Sequence, residues 1–133
     1  MPVDPTPEQV QALTESTHEG PVHMINLLQF KPNGGLASYE RYAEEVQPHL
    51  DRVGGRVVAM SATRQVVIGA YELPWWDAIL TVEYPSIAAF LDMVMSEGYE
   101  AIAHHRTNAL RQAELIATAP DTFEGPADAR NAA

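Results

Sequence analysis

An α+β domain is the fold class this sequence predicts, and three observations predict it. Strand-like apolar runs alternate twice with helical stripes: Val22–Phe30 before a stripe starting at Tyr39, and Trp76–Tyr84 before a stripe starting at Ile87. A β-rich stretch, Arg56–Tyr71, lies between the two halves with no helix after it. Turn chemistry separates the pieces: Lys31-Pro32-Asn33-Gly34-Gly35, Gly54-Gly55 and Pro85-Ser86.

Val22–Phe30 is nearly continuous in apolar residues, broken by His23, Asn26 and Gln29, and reads as a strand buried on both faces. Tyr39, Tyr42, Ala43, Val46, Leu50 and Val53 then share one stripe, with Glu40, Arg41, Glu44, Glu45 and Gln47 opposite. That is a helix, ended by the glycine pair and expected to kink at Pro48. Arg56–Tyr71 is either one long bent strand or two short ones broken near Thr63-Arg64. Ser86 is placed to cap a helix from Ile87 that is interrupted near Gly98, where a second helix, Tyr99–Arg111, takes over. Ala113–Ala119 closes as a last strand. The order is β-α-β-β-α-β, the split βαβ arrangement of ferredoxin-like folds, with helices on one face of the sheet. The other face is apolar as well, and an exposed apolar sheet is an aggregation hazard unless a second subunit covers it. Two sheets packed face to face in a homodimer, a dimeric α+β barrel, are therefore expected.

Outside this body, residues 20–119, lie two accessory pieces. Thr6 as N-cap, Pro7 at the first helical position and Gln9 for a capping box open a short helix within residues 1–19. Residues 120–133, rich in Ala, Asp, Gly and Pro, read as a loose C-terminal tail.

Eight Lys+Arg against eighteen Asp+Glu give a formal charge of -10 and no basic cluster, which disfavours nucleic acid and anionic membranes as partners. No cysteine is present, so disulfides, thiolate nucleophiles and Cys-based metal centres are excluded, in keeping with a cytoplasmic setting. No apolar run reaches transmembrane length, and the first residues lack the features of a signal peptide.

Several of these residues also carry a resemblance. Asn26 in the first strand, Tyr39-x-x-Tyr42 and Gly54-Gly55 resemble the first half of the domain-of-unknown-function 1330 family. Trp76-Asp77, Tyr84-Pro85-Ser86, Phe90, Tyr99 and His105-Arg106 resemble its second half, so that the likeness spans about residues 20–118. It implies the dimeric α+β barrel superfamily, which houses cofactor-independent monooxygenases, muconolactone isomerase-like enzymes, haem-handling enzymes and non-catalytic members. The family itself supplies no reaction.

Arg106 is the residue that points to a site. On the helix Tyr99–Arg111 the apolar stripe runs Tyr99, Ile102, Ala103 and Leu110, and Arg106 occupies its i+7 position. A guanidinium facing a core needs a strongly accepting partner. That partner is either an internal acid, such as Asp77 or Glu83, or a bound carboxylate that the planar fork would suit. Tyr39, Tyr42 and Tyr99 lie on inward stripes and need partners for their hydroxyls, in the core or at a pocket lip. Asn26 either serves neighbouring backbone or polarises a substrate carbonyl. His105 flanks the stripe and is the candidate base, while His104 faces away and reads as solvated.

Trp75 and Trp76 point to opposite faces, so that one belongs to the core and the other lines a cleft or the dimer seam; Trp76 is taken as the ligand-binding candidate. Glu45-His49 and Glu100-His104 have the spacing of metal pairs but sit on outward faces without a third ligand, so no metal is assigned. The glycine pairs match no nucleotide fingerprint, and no serine nucleophile signature occurs, so no cofactor is assigned.

Three functional readings follow. One is a cofactor-independent enzyme, oxygenating or isomerising a small aromatic or oxoacid, with Arg106, Tyr39, Tyr42, Tyr99 and Trp76 binding and with His105 and Asn26 catalytic. The second is a non-catalytic module binding the same ligand. The third is a structural dimer in which Arg106 is an internal strut.

Overall fold

The computed structural model describes residues 3–125. The remainder of the expected tail, residues 126–133, lies outside the described residues. Eight elements follow in order: α1 (Pro7–Thr14), β1 (Val22–Phe30), α2 (Gly35–Val53), β2 (Arg56–Ala62), β3 (Ala78–Tyr84), α3 (Ile87–Val94), α4 (Glu97–Ala109) and β4 (Leu110–Thr118). The strands form one antiparallel sheet in the order β2-β3-β1-β4. Without α1 this is the βαββαβ ferredoxin-like fold. Among the described residues no helix is long and apolar enough to cross a membrane.

β1 sits at the centre of the sheet, and its period-two pattern decides which face meets the helices. Val22, Met24, Asn26 and Leu28 are buried, whereas His23, Ile25, Leu27 and Gln29 are half-buried. Within one chain the helices cover only the even-numbered side, and the odd-numbered side is the face expected to meet a second subunit. Val82 and Tyr84 of β3 share that side, and Tyr39, Tyr42, Val46 and Leu50 of α2 pack over it with Met93 of α3.

Several boundaries move, each for a local reason. α2 begins at Gly35 and runs through the exposed Pro48 without a break. The interruption between α3 and α4 falls at Met95–Ser96 instead of Gly98, because the Ser96 hydroxyl serves both helix ends. Its oxygen accepts from Tyr99 N at 3.2 Å, and its proton goes to Met93 O at 2.7 Å. Gly98 lies inside the first turn of α4, where a Cβ would meet the His49 ring at 2.8 Å. α4 ends at Ala109, so Leu110 is not a helical stripe residue but the first residue of β4, with extended backbone.

β2 stops at Ala62, where its pairing with Ala78 of β3 ends. The expected strand through Val66–Tyr71 is instead a turn closed by Val66 N donating to Glu72 O at 3.0 Å. Among the described residues no ladder partner lies beside that stretch, and Val67, Ile68 and Tyr71 stand exposed. β3 accordingly starts at Ala78, not Trp76. Asp77 marks the junction, its Oδ2 accepting from Phe30 N at 2.9 Å and its own N–H donating to Leu28 O at 2.8 Å.

On the open sheet face Glu83 lies between His23 and Arg56. His23 Nε2 is 2.8 Å from one oxygen and Arg56 Nε is 3.0 Å from the other. The hydrogen bond from His23, then that from Arg56, holds the Glu83 carboxyl below its ordinary range. A lowered carboxylate contributes stability above its unfolded value, about 4.3, and that contribution disappears as pH falls through the folded value. Glu83→Gln should therefore flatten the acid limb of the stability profile and lose more stability at pH 7 than at pH 3. Urea midpoints at the two pH values measure this.

Candidate functional site

The site grows from the seam between α2 and α4. The two helices run antiparallel: Ser38 Oγ near the start of α2 donates to His105 O at 3.1 Å, and Gly98 at the start of α4 lies against His49 near the end of α2. At the first of these ends a Cβ on Gly35 would stand 2.7 Å from Ala109 O. Only glycine permits that approach, so the helices close like a hinge held at its tight end.

The stripe spacing on α2 places Tyr39 and Tyr42 one turn apart, and Tyr99 meets them from α4. The rings of Phe30, Tyr39, Tyr42 and Tyr99 form a chain, with successive centroids at 5.6, 5.4 and 6.2 Å. The hydroxyls of Tyr42 and Tyr99 are hydrogen-bonded at 2.8 Å. Burial, reinforced by Tyr99, raises the Tyr42 hydroxyl well above the ordinary phenol range. Burial raises Tyr39 too, against the opposing pull of the Arg106 guanidinium beside it. Both phenols therefore stay protonated at neutral pH: they are hydrogen-bonding groups, not bases.

Arg106, in the last turn of α4, is half-buried, and its charge suits the negative end of that helix. Neither acid named from the sequence reaches it. Asp77 is engaged at the β1–β3 junction, and Glu83 lies on the open face of the sheet, away from the helices. Among the described residues no carboxylate pairs with Arg106 at all. Its guanidinium donates instead to a backbone carbonyl, Val3 O, at 2.7 Å. A segment thought peripheral thus reaches the centre of the site, pinned further by Thr107 Oγ1 donating to Asp4 Oδ1 at 3.1 Å. Sequence gave no signal for this contact, because 103 residues separate its partners and the acceptor is backbone.

His105 Nε2 lies 2.9 Å from Glu45 Oε2 across the same seam. The alignment falls short of a hydrogen bond, so the contact is one of charge when the imidazole is protonated. Arg41 Nε stands 3.5 Å from the other Glu45 oxygen. By spacing alone Glu45 matches His49. It is only partly exposed, on the edge of the stripe, and that position is what sends it across to His105. His104 is exposed, its ring 4.0 Å from that of His105.

Asn26 is on the helix-facing side of β1, only 7% exposed. Its amide donates to the carbonyls of Met24 and Leu80 at 3.4 and 3.3 Å. Trp76 stands apart from this group, half-buried in the β2–β3 connection, where its carbonyl accepts from the Thr63 hydroxyl. The structure therefore brings together Tyr39, Tyr42, Tyr99 and Arg106, sets His105 with Glu45 on the same seam, and leaves Trp76 elsewhere. A feature without a sequence signal is Gln112, 1% exposed with both amide atoms lacking a partner. It pairs in register with Gln29 beside a bulge in the β1–β4 ladder.

Comparison with known proteins agrees with this architecture. A protein of unknown function from Rhodopseudomonas palustris is 31% identical, superposes with a TM-score of 0.83, and aligns over 90% of this chain and 97% of its own. A dabb family protein with a ferredoxin-like fold from Mesorhizobium loti is 14% identical, with a TM-score of 0.53 over 78% of this chain and 100% of its own. A protein from Caulobacter crescentus, provisionally assigned as an antibiotic biosynthesis monooxygenase, is 13% identical, with a TM-score of 0.54 over 80% of this chain and 92% of its own. The last two share the fold alone. No curated protein matches the chain. The profile of the domain of unknown function DUF1330 matches residues 33–120, a span holding both seam helices and three of the four strands, and the chain belongs to that family.

Proposed function

We propose that this protein binds a small organic acid at the α2–α4 seam, with Arg106 as its anchor. The observation that carries the reading is a guanidinium on the core side of α4 that meets a backbone carbonyl and the Tyr39 hydroxyl but, among the described residues, no carboxylate, beside tyrosines whose hydroxyls stay protonated. Arg106 would take the carboxylate, and the Tyr42–Tyr99 pair, with Tyr39, would donate to its remaining oxygens or to an adjacent oxo group. Asn26 lies on the same side of the sheet, although its amide protons already serve backbone. Trp76 joins this proposal only as a flank of the β2–β3 connection.

The catalytic form of the reading is oxygenation or isomerisation of an aromatic or oxoacid, without a bound cofactor. It requires a base, and His105 beside Glu45 is the group assigned to it. Oxygenation is the reaction named for the Caulobacter protein, with which this chain shares only its fold. A second reading has its own support: Val3 O and the Asp4–Thr107 bond make Arg106 a strut that holds the N-terminal segment.

Homodimerisation through the open sheet face belongs to the same proposal. By ladder register Ile25, Leu27, Ile79 and Ile116 share that face, and Ile79 and Ile116 are 38% and 45% exposed. All of β2 is exposed at the sheet edge. An apolar surface of this kind favours burial against a second copy.

Calorimetric titration with benzoate and pyruvate, in the parent and in Arg106→Leu, tests the acid site. Loss of affinity by about tenfold or more, with little change in melting temperature, is the expected result. A strut would show the reverse: no ligand effect and a stability loss of about 1–3 kcal/mol from the orphaned carbonyl. For any acid that is turned over, His105→Ala should lower kcat by about 10²–10⁴ and leave affinity unchanged; undiminished turnover removes His105 from the mechanism. Light scattering should report a dimer for the parent and a monomer for Ile116→Lys. A monomeric parent sinks the sheet-face proposal.

A further inference from the structure

Building on the acid-binding reading, we infer that Val3 is an internal stand-in for the ligand, and that the ligand is a short, branched monocarboxylic acid that displaces it. What the protein places on Arg106 is a carbonyl oxygen, 2.7 Å from Nη1. The carbon next to that carbonyl bears an isopropyl group, and this side chain packs on the hydrophobic core. An oxygen on the guanidinium with a branched aliphatic group one carbon away is also the head of an acid such as 3-methyl-2-oxobutanoate. The site is thus already shaped for a polar head at Arg106 and a compact apolar body where Val3 rests.

The exchange favours the acid on chemical grounds. Val3 supplies one neutral acceptor to a fork that has five N–H donors, and a carboxylate supplies two charged oxygens in matching geometry. The neighbouring charges select for a single carboxylate. Glu45 stands across the seam, its Oε2 2.9 Å from His105 Nε2. Arg41 is engaged with Glu45, and Arg52 with Asp92. A second carboxylate on the ligand would meet Glu45 and no uncommitted cation on α2.

The segment is held lightly enough to leave. Beyond the Val3 contact its side-chain tie to α4 is the Asp4–Thr107 bond, and α1, which follows, has no buried residue. Its capping box, Thr6 with Gln9, is local and survives any movement of residues 3–5. Among the described residues displacement therefore breaks two hydrogen bonds and one apolar contact while α1 keeps its own structure.

Calorimetric titration with 3-methyl-2-oxobutanoate tests this, using the full chain, the Asp4→Ala/Thr107→Val double variant and a chain lacking residues 1–5. Affinity should rise about fivefold in the double variant, for the loss of one competing hydrogen bond, and further in the shortened chain. Succinate should bind at least about tenfold more weakly than the oxoacid, and Arg106→Leu should abolish binding of both. Equal affinity in all three chains, or succinate binding as well as the oxoacid, overturns the stand-in and leaves an Arg106 acid site intact. Absence of any Arg106-dependent binding, by this probe or by benzoate, overturns both. Should the double variant not fold, the shortened chain carries the comparison.

Discussion

Gly35 and Ala109 touch at the point where α2 starts and α4 ends, and most of what surrounds the site depends on that approach. A Cβ at Gly35 would sit 2.7 Å from the Ala109 carbonyl. The same carbonyl accepts from Lys31 N at 2.9 Å, so the loop after β1 is tied to the end of α4 as well. From this fixed end the helices run antiparallel over the sheet. Tyr42 thereby faces Tyr99, and Glu45 faces His105. Opening the contact by the width of a methyl group would move both pairs out of reach, although none of these four residues takes part in it.

The seam combines two environments that rarely coexist without purpose. Its aromatic side is core: Phe30, Tyr39, Tyr42 and Tyr99 pack in sequence, and burial keeps the phenols protonated. Its open side carries the Arg106 guanidinium, the Glu45–His105 contact and the Val3 carbonyl. Hydroxyl donors beside a cation are the elements that the proposed acid site draws on, and an apolar ring wall would strengthen it by excluding water. A peptide carbonyl is a neutral acceptor, weaker on a guanidinium than a carboxylate would be. That mismatch ties the electrostatics of the seam to the reading of Val3 as a replaceable occupant.

The sheet imposes a division of labour. Its even-numbered β1 face holds Asn26 toward the helices, while its odd-numbered face carries the His23–Glu83–Arg56 cluster and the isoleucines proposed for the dimer. Acids on the open face therefore cannot neutralise Arg106, whatever their distance in sequence. The β2–β3 connection extends beyond the sheet edge, and its exposed Val67, Ile68, Tyr71 and Trp75 continue the apolar character of β2.

Periodicity and turn chemistry alone determine the element order, the helix-facing stripe of Tyr39, Tyr42, Val46 and Leu50, the caps at Thr6 and Ser86, and the anomaly at Arg106, because each is a local property of spacing. The DUF1330 resemblance was legible on the same residues. Local spacing misplaced whatever depends on a distant partner. Val66–Tyr71 has strand composition but no neighbouring strand to pair with, and Leu110 fits a helical stripe yet opens β4. Glu45 matches His49 by spacing but meets His105 across the seam. The acceptor on Arg106 is the clearest case: a backbone carbonyl has no sequence signature, so only the tertiary fold, by laying Val3 against α4, decided what that charge would meet.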